Sequence, residues 1–248
     1  MIATKICSRR ELQLFTYHIA SAILLMMVIL PFAVPYAAQS RLNVWTTNAP
    51  AGQYYTVAVD PTNSNIIYAG GGSFMVRKSV DGGATWALAN TGFAEQTYVA
   101  ALKVHPANPR TLYAATGDGV YKSTNGAANW TQVYAGYVLN IEISPSDGNV
   151  IYAIGNELYV SVDGGANWVV RQLPIIGNIR SAMVVHPGNP ALLFASLTNY
   201  DDEGVYVTGD SGASWQFVSF HGYCQTLMFD SEMTLYAGGS RNILGNQQ

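Results

Sequence analysis

The sequence is poor in cysteine and in charge. It contains two cysteines, Cys7 and Cys224, in 248 residues, and 11% of its residues are charged. It has no cluster of lysine and arginine that would follow a phosphate backbone, so nucleic acid is not an expected partner. Cys7 lies in an atypical N-terminal segment, and removal of that segment would leave Cys224 without an intramolecular disulfide partner. Beyond the segment, no stretch shows the apolar period of an amphipathic helix, which excludes a helical fold class.

Residues 1–40 have the pattern of a secretory leader. Basic residues precede an apolar run over residues 19–38, and small residues follow it. A basic start, an apolar middle and a small-residue exit are typical of a signal peptide. The run is also long enough to span a bilayer, so a retained membrane anchor is the alternative. Both interpretations predict that residues 41–248 are exported, to an extracellular, periplasmic or cell-surface location.

Three sequence markers recur in phase along residues 41–248. Successive tryptophans of the chain lie 38 to 47 residues apart. An apolar–X–Pro tripeptide keeps a similar spacing. So does an apolar–aromatic–Ala tripeptide, at residues 67–69, 112–114, 151–153, 193–195 and 235–237. Three markers that stay in phase predict an internal repeat of about 40–45 residues.

Each repeat predicts four short strands, A to D. In the second repeat we expect strands at residues 98–104, 111–115, 120–123 and 130–134. Turn residues separate them, and Asn125-Gly126 is a signal for a tight hairpin between strands C and D. Four strands in about 40–45 residues is the spacing of a β-propeller blade. The predicted fold is therefore all-β, a propeller of about five four-stranded antiparallel blades, four of them complete.

The fifth blade is predicted to be either split or truncated. Residues 223–229, 234–238 and 240–244 predict strands A, B and C without a strand D. Residues 44–48, around Trp45, predict a strand D without the strands before it. Pairing of these two segments would close a five-bladed ring and remove the exposed sheet edges. The alternative is a propeller that is incomplete at its C-terminal end.

One octapeptide occurs four times on the predicted C–D connections: SVDGGATW at 79–86, STNGAANW at 123–130, SVDGGANW at 161–168 and TGDSGASW at 208–215. Its acidic side chain can accept turn N–H bonds, its second glycine can adopt positive φ, and its tryptophan can pack on a neighbouring sheet. We therefore predict a structural role for Ser79, Asp81, Gly83, Trp86, Ser123, Asn125, Trp130, Ser161, Asp163, Gly165, Trp168, Thr208, Asp210, Gly212 and Trp215.

This S-x-D-x-G-x-x-W pattern resembles the Asp box of the bacterial neuraminidase (BNR) repeat. Three copies match, whereas the copy at 123–130 has Asn125 in place of Asp and Ala127 in place of Gly. The resemblance covers residues 41–248 and implies a propeller of the sialidase-like superfamily. That superfamily includes sialidases, xyloglucan-cleaving endoglucanases, sortilin-type receptors and photosystem assembly factors. The resemblance also implies that the boxes lie on the propeller face away from a functional site.

Functional residues are expected on the opposite face, which the D–A and B–C loops share. The longest of these loops contains Tyr200, Asp201, Asp202 and Glu203. An aromatic residue beside three carboxylates predicts contact with a protein or glycan ligand, although a solvated acidic loop has the same composition. Arg180, on a D–A loop, is a further ligand-binding candidate. A three-arginine cluster for a substrate carboxylate is not evident, so sialidase activity is not expected.

Three carboxylates are alternative catalytic candidates. Asp118 and Glu157 occupy B–C positions of adjacent repeats, and Asp202 lies in the long loop. Converging carboxylates would serve as general acid and base in glycoside hydrolysis, but a turn aspartate and an exposed glutamate are ordinary surface features. His105 and His186 stand where other repeats have Asp or Ser, which predicts turn caps rather than metal ligands. No motif predicts a cofactor or a metal site.

The sequence favours an exported, non-catalytic binding or assembly module that contacts a protein or a glycan. A glycoside hydrolase, sialidase-like or xyloglucanase-like, or a fragment of one, is the alternative. Contact with a membrane is expected only through residues 19–38, if they are retained.

Overall fold

The computed structural model describes residues 52–72, 75–95, 97–175, 182–198, 203–219 and 223–240. The predicted leader or anchor and the predicted strand at 44–48 lie outside the described residues, as do residues 241–244 of the last predicted strand. Within the described ranges, no helix has the length and hydropathy needed to cross a membrane.

The described residues form five antiparallel sheets, in which strand order follows the chain. The first four sheets have four strands each and the fifth has two. The strands are β1 (Tyr54–Asp60), β2 (Asn63–Gly71), β3 (Val76–Ser79) and β4 (Ala87–Leu88); β5 (Val99–Val104), β6 (Leu112–Thr116), β7 (Gly119–Ser123) and β8 (Thr131–Ala135); β9 (Val138–Ile143), β10 (Ile151–Gly155), β11 (Leu158–Ser161) and β12 (Val169–Arg171); β13 (Met183–Val185), β14 (Leu193–Thr198), β15 (Glu203–Thr208) and β16 (Gln216–Ser219); and β17 (Tyr223–Phe229) and β18 (Leu235–Ser240).

The sheets are arranged around a common centre. Their first strands contact one another in chain order, β1 with β5, β5 with β9, β9 with β13 and β13 with β17. Residues of all five first strands, or next to them, line one central channel. Four-stranded meanders with their first strands around a channel are the architecture of a β-propeller, which confirms the predicted fold class.

The connection between the third and fourth strands of the second sheet is longer than the tight turn that Asn125-Gly126 indicates, although the predicted strand bounds, 120–123 and 130–134, agree with the structure to within one residue. β7 ends at Ser123 and β8 begins at Thr131, so the connection comprises residues 124–130 and contains most of the octapeptide. The tryptophan of each copy precedes the fourth strand by one residue instead of starting it. The connection is longer than a two-residue turn because the Asn125 side chain accepts a hydrogen bond from the backbone N–H of Asn129, four residues later.

The core of the molecule lies between consecutive sheets. We call the side of a sheet that packs on the following sheet its forward face, and the side that packs on the preceding sheet its backward face. The aromatic residue of the apolar–aromatic–Ala marker lies on the forward face, and the apolar residue lies on the backward face. In the first four sheets the forward aromatic residues are only 0–4% exposed: Tyr68, Tyr113, Tyr152 and Phe194.

Polar contacts reinforce these joints between sheets. The Nζ atom of Lys78 donates to the carbonyl of Gly126, in the octapeptide of the following sheet, at 2.9 Å. One sheet later, Lys122 Nζ and Tyr113 Oη both donate to the carbonyl of Gly164, at 2.7 and 2.9 Å. The octapeptides therefore take part in packing between sheets, in addition to closing their own hairpins.

Candidate functional site

The acidic residue of the octapeptide is occupied within its own hairpin. Asp81 Oδ1 accepts hydrogen bonds from Ser79 Oγ at 2.7 Å and from the Thr85 N–H at 2.8 Å. The Thr85 hydroxyl donates to Oδ2. These bonds, led by that from the Thr85 side chain, lower the pKa of Asp81 to about 2. The pKa values of Asp163 and Asp210 fall to about 2 in the same way, through Asn167 and Ser214.

The other octapeptide residues complete the loop. Gly83, Gly165 and Gly212 have φ values of 91°, 85° and 83°, in the left-handed region that favours glycine. Trp86 Nε1 donates to the Gly83 carbonyl at 3.0 Å, and Trp168 Nε1 to that of Gly165 at 3.1 Å. Backbone bonds join each loop to the A–B hairpin of its own sheet, at Asn65, Arg110, Asn149 and Ala191. We call this side of the molecule the lower face.

The octapeptide at 123–130 differs from the other three. Asn125 accepts from Ser123 Oγ and from the Asn129 N–H through one oxygen, and it has no second carboxylate oxygen for the Asn129 side chain. Ala127 takes the φ of 68° that glycine takes elsewhere. Trp130 is turned towards the preceding sheet, where its Nε1 donates to the Ala89 carbonyl at 2.8 Å and its ring contacts Phe93. This octapeptide therefore serves mainly as a joint between the first two sheets.

One position of the A–B turn is a cap in every sheet. Asp60, Ser144 and Asp230 each accept a turn N–H through a side-chain oxygen. His105 Nδ1 accepts from the N–H groups of Ala107 and Asn108, both at 3.1 Å, and His186 Nδ1 accepts from the Gly188 N–H at 3.1 Å. In the part of the chain that the structure describes, no group of three His, Cys, Asp or Glu residues is placed to hold a metal ion.

Asp118 lies on the opposite, upper face, where it connects two loops. Its Oδ1 accepts from the hydroxyls of Thr116 at 2.6 Å and Thr97 at 2.7 Å, and its Oδ2 accepts from Tyr121 Oη at 2.8 Å. Burial acts to raise the pKa of Asp118, but the three hydroxyl donors together lower it. Asp118 is thus an ionised anchor between the D–A loop and the B–C turn, whereas a general acid needs a raised pKa.

The other sequence-predicted site residues are only partly placed. Glu157 lies half-buried in the turn between β10 and β11. The backbone of Glu203 begins β15 and pairs with Thr198, and its side chain lies outside the described residues. Tyr200, Asp201, Asp202 and Arg180 also lie outside the described residues. Of the three alternative catalytic carboxylates, the structure therefore describes the positions of Asp118 and Glu157.

The central channel has a volume of about 1060 Å³. Most of the residues that line it are small or apolar, and an ion pair between Lys103 and Glu142 lies within it. The Lys103 Nζ to Glu142 Oε1 distance is 2.6 Å. Burial raises the pKa of Glu142, and the adjacent lysine opposes that shift. The sequence analysis did not identify this pair, because its members lie on different sheets.

A β-bulge recurs in the first strand of four of the five sheets. In each case it lies near the upper-face end of the strand, beside the channel mouth. Tyr55, Ala100, Leu139 and Gln225 each have no partner in the adjacent strand, and all four line the channel. Their side chains comprise a phenol, two aliphatic groups of different size and an amide, although the backbone irregularity is shared. A bulge re-aims a side chain, so these four residues form a ring of chemically variable groups at the channel mouth.

The sequence analysis did not identify this ring, although glycines at the ends of two second strands indicate where the bulges lie. Gly71 and Gly155 end the second strand of their sheets opposite the bulge. An added Cβ would lie 2.0 Å from the Gln53 carbonyl oxygen at Gly71 and 1.9 Å from the Tyr137 carbonyl oxygen at Gly155. Glycine at these strand ends marks the close approach of an inner strand.

Three tyrosines form a row on the upper face beside the channel mouth. The rings of Tyr55 and Tyr98 meet edge to face, with centroids 6.4 Å apart, and Tyr98 Oη donates to Tyr137 Oη at 3.4 Å. Burial, followed by the hydrogen bond with Tyr137, raises the pKa of Tyr98 to about 12. Tyr55 and Tyr137 are exposed. The three residues belong to consecutive sheets, so the row extends across three of them.

Comparison with known proteins supports the fold at low sequence identity. No protein-family model and no curated protein match the chain. Among solved structures, an ancestral GH74 enzyme matches 77% of the chain with a TM-score of 0.65 and 22% identity. YCF48 bound to D1 peptide matches 73% with a TM-score of 0.55 and 13% identity. The extracellular domain of the BT4673 two-component system from B. thetaiotaomicron matches 77% with a TM-score of 0.59 and 12% identity.

The chain is a β-propeller. It spans much less than the full length of these proteins, because the matched regions cover 28% of the GH74 enzyme, 58% of YCF48 and 27% of the BT4673 domain. Identities at this level establish the fold alone. The sheets are accordingly blades, and the tyrosine row lies on the propeller face opposite the octapeptide hairpins.

Proposed function

We propose that the chain is an exported, non-catalytic binding or assembly module, a propeller of BNR/Asp-box repeats that contacts a protein or a glycan through its upper face. The observation that carries the proposal is the row of Tyr55, Tyr98 and Tyr137 across blades 1, 2 and 3.

The chemistry of the row suits an extended ligand. Tyrosine offers a large apolar ring and a hydroxyl, and it loses little conformational entropy when a ligand covers it. Tyr98 is held between its two neighbours, so its ring is already positioned before a ligand arrives. Tyr55 is also one of the four bulge residues, which joins the row to the channel mouth. Sugar rings and peptide side chains both pack on surfaces of this kind.

The state of Asp118 does not suit the general acid of a glycosidase. Three hydroxyl groups occupy its two oxygens, and its pKa is lowered. A glycosidase general acid must hold a proton near neutral pH, which requires the opposite shift. We therefore assign Asp118 the role of an anchor that keeps the D–A loop, and with it Tyr98, in position.

Export is supported by the leader pattern of residues 1–40. One of the similar propellers is the extracellular domain of a two-component system. We accordingly place residues 41–248 outside the cytoplasm, either released or held by residues 19–38.

A glycoside hydrolase is the second candidate, favoured by the similarity to a GH74 enzyme. In that case Glu157 and Asp202 would have to supply the acid and base, with Asp118 as a third carboxylate. This alternative predicts turnover, whereas the binding module predicts saturable binding without turnover.

The test uses the full chain against a glycan panel that includes xyloglucan oligosaccharides and against a peptide array. Binding is measured by biolayer interferometry, and hydrolysis by release of reducing ends. We expect Tyr55→Ala and Tyr137→Ala to weaken binding at least about tenfold, in line with loss of an aromatic anchor. Phe217→Ala, at a half-exposed aromatic residue on the outer strand β16, is the matched control and should bind normally. Turnover of a polysaccharide that Glu157→Ala or Asp118→Ala abolishes would overturn the proposal in favour of the hydrolase.

A further inference from the structure

A groove lies between the outer strand of blade 1 and the octapeptide at 123–130 of blade 2. Its volume is about 340 Å³, at the lower end of the range for ligand pockets. Residues 85–89 and Thr91 form one wall, and residues 125–128 form the other. The two blades are consecutive in the chain, so the groove does not depend on where the chain begins or ends.

Two alanines of the first wall leave the groove open, and the walls are fixed to each other. The repeat aligns Ala87 and Ala89 with larger residues in the next three blades: Thr131 and Val133, Val169 and Arg171, and Gln216 and Val218. Trp130 joins the walls, because its backbone N–H donates to the Thr91 carbonyl and its Nε1 to the Ala89 carbonyl, both at 2.8 Å. The groove is therefore already formed before a ligand arrives.

Lys78 gives the groove a positive charge. Its half-buried ammonium donates to the Gly126 carbonyl at 2.9 Å and lies 5.4 Å from the centre of the Tyr68 ring, which leaves donor capacity on the nitrogen. Among the described residues, no carboxylate lies within salt-bridge distance of Lys78, and no aspartate or glutamate lines the groove. Asp60 is within electrostatic reach of Lys78, but its carboxylate caps its own turn and lies outside the groove. The charge of Lys78 is thus free to attract an anion.

Asn125 adds a hydrogen-bond donor to the same groove. Its Oδ1 is used within the hairpin, and among the described residues its amide nitrogen donates no hydrogen bond. The aligned residues of the other octapeptides are aspartates, whose second oxygen is an acceptor. The next joint shows the difference, because Lys122, which is aligned with Lys78, faces an octapeptide that contains Asp163. The exchange of aspartate for asparagine therefore removes a negative charge and supplies an N–H group beside Lys78.

We propose that this groove binds the C-terminal end of a peptide whose last residues are small and apolar. The terminal carboxylate accepts charge-assisted hydrogen bonds from Lys78 and Asn125, and the side chains pack on Ala87 and Ala89. Acetate would leave most of the groove empty, whereas a few peptide residues fill it and bring backbone amides to the exposed Thr91 hydroxyl. The inference does not depend on the ligand of the upper face, because none of the tyrosine-row residues lines this groove.

The test titrates the full chain with N-acetyl-trialanine, with its C-terminal amide and with acetate, and isothermal titration calorimetry measures binding at pH 7. The peptide with the free carboxylate is expected to bind with a Kd of roughly 0.1–1 mM, as befits a small ligand. The amide and acetate should each bind at least about tenfold more weakly, because one lacks the charge and the other lacks the chain. The proposal is overturned if the peptide does not bind, or if the amide or acetate binds as tightly as the peptide.

Three variants locate the binding in this groove. Lys78→Met should weaken binding of the peptide at least about tenfold, whereas Lys122→Met, which removes the equivalent joint one blade later, is the matched control and should bind like wild type. Asn125→Asp should also weaken binding at least about tenfold without lowering Tm, which separates loss of binding from loss of folding. Ala87→Val, at an exposed strand position, should obstruct the groove and weaken binding about fivefold. Wild-type binding by Lys78→Met, Asn125→Asp or Ala87→Val, or an equal loss in Lys122→Met, would contradict the assignment.

Discussion

Lys103 Nζ on β5 lies 2.6 Å from Glu142 Oε1 on β9, so an ion pair joins the inner strands of blades 2 and 3 inside the channel. The glutamate is the more deeply buried partner, and burial raises its pKa while Lys103 acts against that rise. The aligned positions in the other blades are Ala58, Val184 and Met228. The pair is therefore not part of the repeat pattern. Each charge is stabilised by the opposite charge of its partner.

Removing Lys103 should destabilise the propeller in a pH-dependent way. A carboxyl group with a raised folded-state pKa favours the folded state when protonated, and that advantage is lost as pH rises through the folded pKa. Lys103→Met removes the opposing charge, so we expect a loss of about 2 kcal/mol at pH 8 and a smaller loss at pH 5. Thermal unfolding followed by circular dichroism at the two pH values measures this. Lys103→Met combined with Glu142→Leu should recover most of the loss, and an equal loss at both pH values would contradict the explanation.

Gly92→Ala should be strongly destabilising. Gly92 has a φ of 100°, and an added Cβ would lie 2.1 Å from the carbonyl oxygen of Trp130 on the next blade. Neither the backbone conformation nor the space accepts a methyl group, so we expect a loss of about 3 kcal/mol and a fall in Tm of roughly 10 °C. Gly209→Ala is the matched control, because nothing lies within 4 Å of its added Cβ. Similar Tm values for both variants would show that the backbone contact between Gly92 and Trp130 rearranges to accept a methyl group.

Acid should weaken the octapeptide hairpins that contain aspartate. The pKa of Asp163 is lowered to about 2 by hydrogen bonds from Asn167 and Ser161. A lowered pKa stabilises the folded state above the unfolded-state value of about 4, and that stabilisation is lost as pH falls from about 4 to about 2. Asp163→Asn should therefore lower Tm at pH 7 and flatten the fall in Tm between pH 4 and pH 2. An unchanged slope would show that the carboxylate does not contribute to acid unfolding.

Asn125→Asp should stabilise the hairpin that departs from the pattern. Asp163 binds the Asn167 side chain through its second oxygen, at 2.7 Å from Nδ2, and Asn125 cannot offer that oxygen to Asn129. The substitution supplies it, and we expect Tm at pH 7 to rise by about 2 °C. The increase should disappear near pH 2. Asn129→Ala in the Asn125→Asp background should remove most of the gain, and no gain in Tm at pH 7 would contradict this account.

The fold could be predicted because its signals are local. Turn residues, short apolar strands and the aromatic of each apolar–aromatic–Ala marker depend on neighbours a few positions away. The octapeptide likewise closes its own loop, as when Asp81 bonds residues 79 and 85. The ends of that loop at Asn125 were predicted to within one residue, although Asn125-Gly126 alone has the composition of a two-residue turn and the Asn125 side chain caps a longer one.

The candidate site could be predicted only in part. The expectation that D–A and B–C loops share one face agrees with the structure, since Thr97 of a D–A loop meets Asp118 of a B–C turn. The contacts that join Tyr55, Tyr98 and Tyr137 into a row, and the ring of bulge residues, could not be predicted, because they depend on how one blade is rotated relative to the next. Successive members of the tyrosine row are about 40 residues apart, and no local pattern relates them.

The sequence by itself determined the repeat, because three markers recur in phase about every 40–45 residues. It also determined the number of strands in a blade and the hairpin chemistry, because these follow from turn residues and hydrogen bonds within about five residues. Tertiary structure alone decided which side chains meet: Lys103 with Glu142, Tyr98 with Tyr137, and Lys122 with the Gly164 carbonyl. These contacts lie across joints between blades, where the geometry is set by packing of whole sheets around the channel.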